Sequence, residues 1–307
     1  MMNSIEFLGL DCIEIKTGHL SLLAAKSVGP RILSLSVKGG KNLFAELPND
    51  YLEYPGEDNF CFYGGHRLWL GPEYPPITYI PDSQPVSIRE SPGLYELIQE
   101  PHHKTGIRKS IRIRIPDLDN IVVINHIIQN EGKLPFTCAP WAITQFRLGG
   151  HIIIPQQYNA INKNALLPDR SIVLWPYSDI NDPRIHWGNH FIILDSDPLD
   201  TALKIGVSNK EKWMAYFCDN LLFIKYADDY ESKQLIDYGA TSECYLNSKF
   251  VELETMGPLT LLEQGQTIQH TEIWRVVEKP FVELTPTSMM DFISHDEMAK
   301  ICLDMLK

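Results

Sequence analysis

The stretch FVELETMGPL, residues 250–259, places two glutamates, Glu252 and Glu254, two positions apart within an apolar run. On an extended strand, residues two apart point the same way, so Phe250, Glu252, Glu254 and Met256 share one face while Val251, Leu253 and Thr255 share the other. Both carboxylates therefore face together. On a solvated face such a pair is ordinary. Beside Phe250 and Met256 it fits a partly apolar cleft, where desolvation and like-charge repulsion raise at least one pKa toward values useful for proton transfer. A second cluster, YGGHRLWLGPE (63–73), joins two glycines that permit a tight backbone to His66, Arg67, Trp69 and Glu73. His102 and His103 project oppositely on an extended chain, so one of them at most faces a given site, and His103 is a weaker candidate. In RIHWGNHF, His186 and His190 stand four apart, but Gly188 and Asn189 oppose a helix; a tryptophan-bearing loop over a cleft fits better than a zinc pair. His126 and His151 lie on apolar strands as satisfied core or edge histidines. His270 and Glu272 share a face of HTEIW as a hydrogen-bonded pair beside the glutamate strand.

These residues must be positioned by strands. Segments such as RILSLSV, SIRIRI, NIVVINHIIQN, LKIGVS, LLFIKYA and HTEIWRVVE are short, β-branched or aromatic, and bounded by Gly, Pro, Asn or Asp. No strand–helix alternation, fixed-period repeat or low-complexity linker is seen, so the expected architecture is one all-β domain over 1–307, an antiparallel sandwich or barrel. The exception is SHDEMAKICLDMLK, which predicts a short C-terminal amphipathic helix with Ser294 as its N-cap, closing over a sheet edge or face. The 307 residues carry 27 Lys+Arg against 39 Asp+Glu, a net charge of −12. That balance repels phosphate backbones and anionic lipid heads, so neither a nucleic acid nor a membrane is an expected partner. The basic run IRKSIRIRI alternates as a solvated strand face. The N-terminus lacks a leader pattern and no eighteen apolar residues run together, so the expectation is a soluble, cytoplasmic protein, monomeric or homodimeric. Six cysteines without metal-ligand spacing read as small core residues. No GxGxxG, Walker A, GxSxG, HExxH or CxxC pattern occurs.

The segment FVELETMGPLTLLEQGQTIQHTEIW resembles the C-terminal signature of the galactose mutarotase-like (aldose 1-epimerase-like) superfamily. The matching parts are Leu253-Glu254-Thr255, Pro258, LTLLE, the turn Gln264-Gly265-Gln266, and HTEIW. VGPRILSLSVKGGKNLFAELP resembles that family's first strands, and GGHRLWLGPE points to an uncharacterised branch; the middle of the chain matches loosely. The resemblance implies a large antiparallel β-supersandwich whose open cleft binds a monosaccharide or sugar derivative. It implies a glutamate that takes the anomeric proton, a histidine that protonates the ring oxygen, and no metal or organic cofactor. By position Glu254 matches the base, while Glu252 would orient a sugar hydroxyl or stay solvated. The central-strand histidine is missing: APWAITQF places Trp141 there, to stack on a sugar ring or pack in the core, with Gln145 as a further polar contact. Arg67 then serves as a clamp on the substrate, or bridges to Glu73 or Glu254, and His66 as the alternative acid. The implied activity is an aldose 1-epimerase-like isomerase; the competing reading is a sugar-binding protein without turnover. A third reading, a larger or acidic saccharide, would enlist Arg67 and Arg147.

Overall fold

Period-two alternation of apolar residues gives strands one or both faces to bury, and most of the chain does this. The computed structural model describes residues 4–56, 58–158, 167–230 and 233–306. Within them the strands pair antiparallel into two sheets, one of twelve strands and one of ten. The expected all-β sandwich is the fold found. Between the sheets lies the main core, with Leu22, Leu35, Ile113, Ile124, Phe146, Phe223 and Trp274 among its members. No helix among the described residues is long and apolar enough to cross a membrane.

Two departures from expectation concern local structure. YGGHRLWLG forms no tight turn at its glycines but makes up the last nine residues of a twelve-residue strand, Phe60–Gly71, in the middle of the larger sheet. Its glycines explain the difference. Gly64 and Gly65 sit at φ +84° and +70°, and a Cβ there would lie 1.8 Å from the Ala45 carbonyl oxygen and 2.2 Å from that of Ile32. Glycine is needed because neighbouring backbone fills the side-chain space. The C-terminus forms two helices, Pro286–Ser294 and Glu297–Asp304. Ser294 ends the first instead of capping one, its hydroxyl donating to the Asp291 carbonyl, and Asp296 occupies the N-cap position of the second. The first helix is held by a capping box between Thr285 and Ser288. As expected, the helices cover a sheet face: Met289 and Cys302 are buried in a second apolar cluster with Ile121, Val123, Ile224 and Ile273. All six cysteines are free and five are buried.

Candidate functional site

Five adjacent strands of the larger sheet build one concave face: Phe60–Gly71, Phe136–Phe146, Val251–Met256, Ser242–Leu246 and Leu203–Val207. Their register sets the side chains in rows, because directly paired residues of neighbouring strands share a face. One row reads Gly65, Gln145, Glu252, Tyr245, Lys204; the next Arg67, Ile143, Glu254, Glu243, Gly206; a third Trp69, Trp141, Met256. Above this face lies a cavity of about 850 Å³ whose lining includes Tyr51, Phe62, Trp69, Tyr79, Trp141, Tyr177 and Tyr245, with Glu73, Asp200, Lys204 and Glu252. Aromatic surface and carboxylates thus meet in one place.

Glu252 is the strand glutamate that lines the cavity. Its Oε1 accepts from the Gln145 amide at 2.9 Å and from Arg67 Nη2 at 3.2 Å, and Arg67 Nη1 donates to the Gln145 oxygen at 2.8 Å. No described residue engages its Oε2 in a hydrogen bond. Burial, and then the charge of Glu254, push the Glu252 carboxyl up to about 7 against the opposing pull of Arg67 and Lys204. Arg67 lies under the cavity floor, 1% exposed, its guanidinium 4.4 Å from the centre of the Trp69 ring. It orients Glu252 rather than reaching into the cavity. Burial lowers its pKa to about 10, so it stays charged at neutral pH.

Glu254 is sealed. Its Oε2 accepts from the Trp141 indole N–H at 2.6 Å and from Lys204 Nζ at 3.0 Å, and the residue is wholly buried without lining the cavity. Lys204 also pairs with Glu243 at 2.7 Å and lies 4.6 Å from the ring centres of both Trp141 and Trp175. Burial alone would depress the Lys204 ammonium, but Glu254 and Glu243 overcome it and hold the pKa well above the ordinary lysine value. Burial drives Glu243 strongly toward its protonated form. Trp141 thus has two functions at once: it lines the cavity and, through its N–H, caps Glu254.

His66 does not join Arg67. Adjacent strand residues point oppositely, so His66 faces the interior between the sheets, buried against Trp274. There it belongs to a closed hydrogen-bonded network. The His270 carbonyl can only accept, so His126 Nδ1 carries the proton at 3.0 Å, and His126 Nε2 accepts from His66 Nε2 at 2.7 Å. His66 Nδ1 then accepts from the Thr144 hydroxyl at 2.8 Å, which itself accepts from Lys225 Nζ at 2.7 Å. Lys225 also donates to the Leu253 carbonyl and pairs with Glu272, both at 2.9 Å. His270 and Glu272, read from sequence as a direct pair, are bridged by the Thr255 hydroxyl, and Tyr230 bonds His270 Nδ1 at 2.8 Å. Their strand, Thr267–Glu278, lies in the other sheet and faces the glutamate strand across the core. Burial pushes His126 and His270 down to about 3 and His66 well below its ordinary value, so all three are neutral. His66, His126 and Glu272 bring three possible metal-ligand atoms within 4.8 Å of one another, but the Lys225 ammonium already serves as the cation of this cluster.

The remaining candidates divide. Glu73 lines the cavity and accepts from the Tyr79 hydroxyl. His103 lines a separate cavity of about 580 Å³ with Asp58 and Gln99. Arg147 pairs with Asp219 at 2.9 Å, away from the cleft. The RIHWGNHF segment does not cover the cleft either: it edges the smaller sheet, where His186 and His151 both bond Asp195 at 2.7 Å. Sequence reading missed Lys204, Tyr177 and Tyr245; a lone lysine in the apolar strand LKIGV was the available signal for the first.

No protein-family model matches the chain, and a search of curated proteins finds no match. Solved structures do match. A galactose mutarotase-like protein from Lactobacillus casei, 11% identical, superposes with a TM-score of 0.57 over 87% of this chain and 100% of that one. A protein from Klebsiella pneumoniae provisionally named an aldose 1-epimerase, also 11% identical, gives 0.62 over 95% of this chain and 84% of that one. A TPR-domain containing protein from Parabacteroides distasonis, 13% identical, gives 0.62 over 90% of this chain and 49% of that one. The fold is therefore the one galactose mutarotase-like proteins have, and at these identities the likeness carries the fold alone.

Proposed function

We propose that this protein binds a saccharide in the aromatic cavity and acts on it as an aldose 1-epimerase-like isomerase, with Glu252, not Glu254, as the general base. The observation that carries the reading is Glu252 itself: a carboxylate on the cavity wall, poised near neutral pH, one oxygen fixed by Arg67 and Gln145 and the other left for a ligand. Glu252 takes the proton of the anomeric hydroxyl as the bond between C1 and the ring oxygen breaks, and the ring oxygen takes up a proton. Rotation of the open-chain aldehyde and reclosure on its other face return both protons and give the second anomer. No histidine lines the cavity among the described residues, and we assign the proton donor to the ring oxygen to a lining phenol, Tyr245, which stands beside Glu252 in register.

The test follows anomer interconversion by NMR for freshly dissolved aldoses, comparing wild type, Glu252→Gln and Glu254→Gln. Glu252→Gln is expected to lose about 100-fold or more in rate, the scale of a positioned general base, while Glu254→Gln stays active. Full activity in Glu252→Gln overturns the assignment. A second reading, sugar binding without turnover, is favoured by the sealing of Glu254 under Trp141 and Lys204. It predicts line broadening of sugar resonances with no acceleration by any variant.

A further inference from the structure

The cavity is too large for one sugar ring. At about 850 Å³ it stands near the top of the range that accommodates drug-sized ligands. Its lining also includes two half-exposed tyrosines. Tyr51, 54% exposed, lies on Glu46–Leu52, the strand paired to one half of Phe60–Gly71. Tyr177, 50% exposed, follows Ile172–Leu174 at the far end of the same sheet and packs edge-on to Tyr245, ring centres 6.4 Å apart. The Lys249–Asp50 ion pair ties the strand of Tyr51 to the turn between the strands of Tyr245 and Glu252. Single exposed tyrosines need no explanation. Two half-exposed tyrosines that line one cavity offer ring faces against which the C–H faces of pyranose rings beyond the first can pack.

Charge narrows the ligand further. The two lysines of the lining are already engaged, Lys204 by Glu254 and Glu243 and Lys249 by Asp50 at 2.9 Å. Glu73, Asp200 and Glu252 add negative charge to the same surface. A phosphate or uronate would meet carboxylates and no uncommitted lining cation among the described residues.

From this geometry we infer that the ligand is an uncharged oligosaccharide, one terminal ring at Glu252 and further rings against Tyr51 and Tyr177, rather than a single hexose or a sugar phosphate. The inference rests on the sugar site proposed above. It is tested on a glycan array of neutral, amino, phosphorylated and uronic saccharides, each from one to six rings, followed by calorimetry on the best binders with wild type, Tyr51→Ala and Tyr177→Ala. Wild type is expected to bind uncharged oligomers at least about tenfold more tightly than the matching monosaccharide, and each tyrosine variant to flatten that dependence on length. Equal affinity for one ring and several, preference for an acidic glycan, or tyrosine variants that keep the length dependence overturn it. Glu252-dependent turnover of monosaccharides without any length effect leaves the epimerase reading standing and removes this one; length-dependent binding without turnover does the converse, and no binding to any glycan ends both.

Discussion

Replacing Glu254 by glutamine should lower the pKa of Glu252, although the two side chains are not in contact. Both leave the strand on the same face two positions apart, which sets them about 7 Å from one another. Two unit charges at about 7 Å and an effective dielectric of about 20 interact by roughly 2.4 kcal/mol. One pKa unit is about 1.36 kcal/mol, so removing the Glu254 charge should bring Glu252 down by about 1.7 units. The surroundings push the same way: with Glu254 neutral, Lys204 keeps only Glu243, which burial biases toward its neutral form, and more of the lysine's positive charge is felt at Glu252. Glutamine still offers an oxygen to the Trp141 N–H and to Lys204, so the fold is kept. The assay is a pH titration of ¹³C-carboxyl-labelled glutamates by NMR, with the Glu252 signal assigned by its loss in Glu252→Gln. Wild type should titrate near 7, and Glu254→Gln between about 5 and 6. A midpoint that stays near 7 or rises would refute the coupling and leave burial as its cause.

Two further predictions concern the scaffold. Lys225→Met leaves Glu272 without its ion-pair partner in the interior and strips the Thr144 hydroxyl and the Leu253 carbonyl of a donor; urea denaturation should show a loss of about 3–5 kcal/mol, and a loss under about 1 kcal/mol would mean the network is not closed as described. Gly64→Ala forces a Cβ to within 1.8 Å of the Ala45 carbonyl at φ +84°; the expected drop exceeds about 3 kcal/mol or abolishes folding, and a variant melting with wild type would show that the strand crossing is looser.

Much of the arrangement was legible in the chain. Alternation in FVELETM put Glu252 and Glu254 on one face and Val251, Leu253 and Thr255 on the other, and the folded sheet turns the second face to the core. The same rule separates His66 from Arg67. It was obscured by Gly64 and Gly65, which suggest a tight backbone but in fact mark where one strand passes close to others. The C-terminal amphipathic pattern marked a helical cover, yet periodicity does not register the break at His295-Asp296 that makes it two helices.

Which glutamate faces the ligand lay beyond the sequence. Glu252 and Glu254 have the same residue type and the same direction from the strand, so no local signal distinguishes them. The difference comes from neighbours brought alongside by sheet register. Gln145 and Tyr245 flank Glu252 and leave it an open side, while Ile143 and Glu243 flank Glu254, and Lys204 and Trp141, 50 and 113 residues away in the chain, close over it. Sequence spacing fixes the face a side chain takes within its strand; burial, charge and access depend on which strands lie next to it, and only the folded sheet determines that.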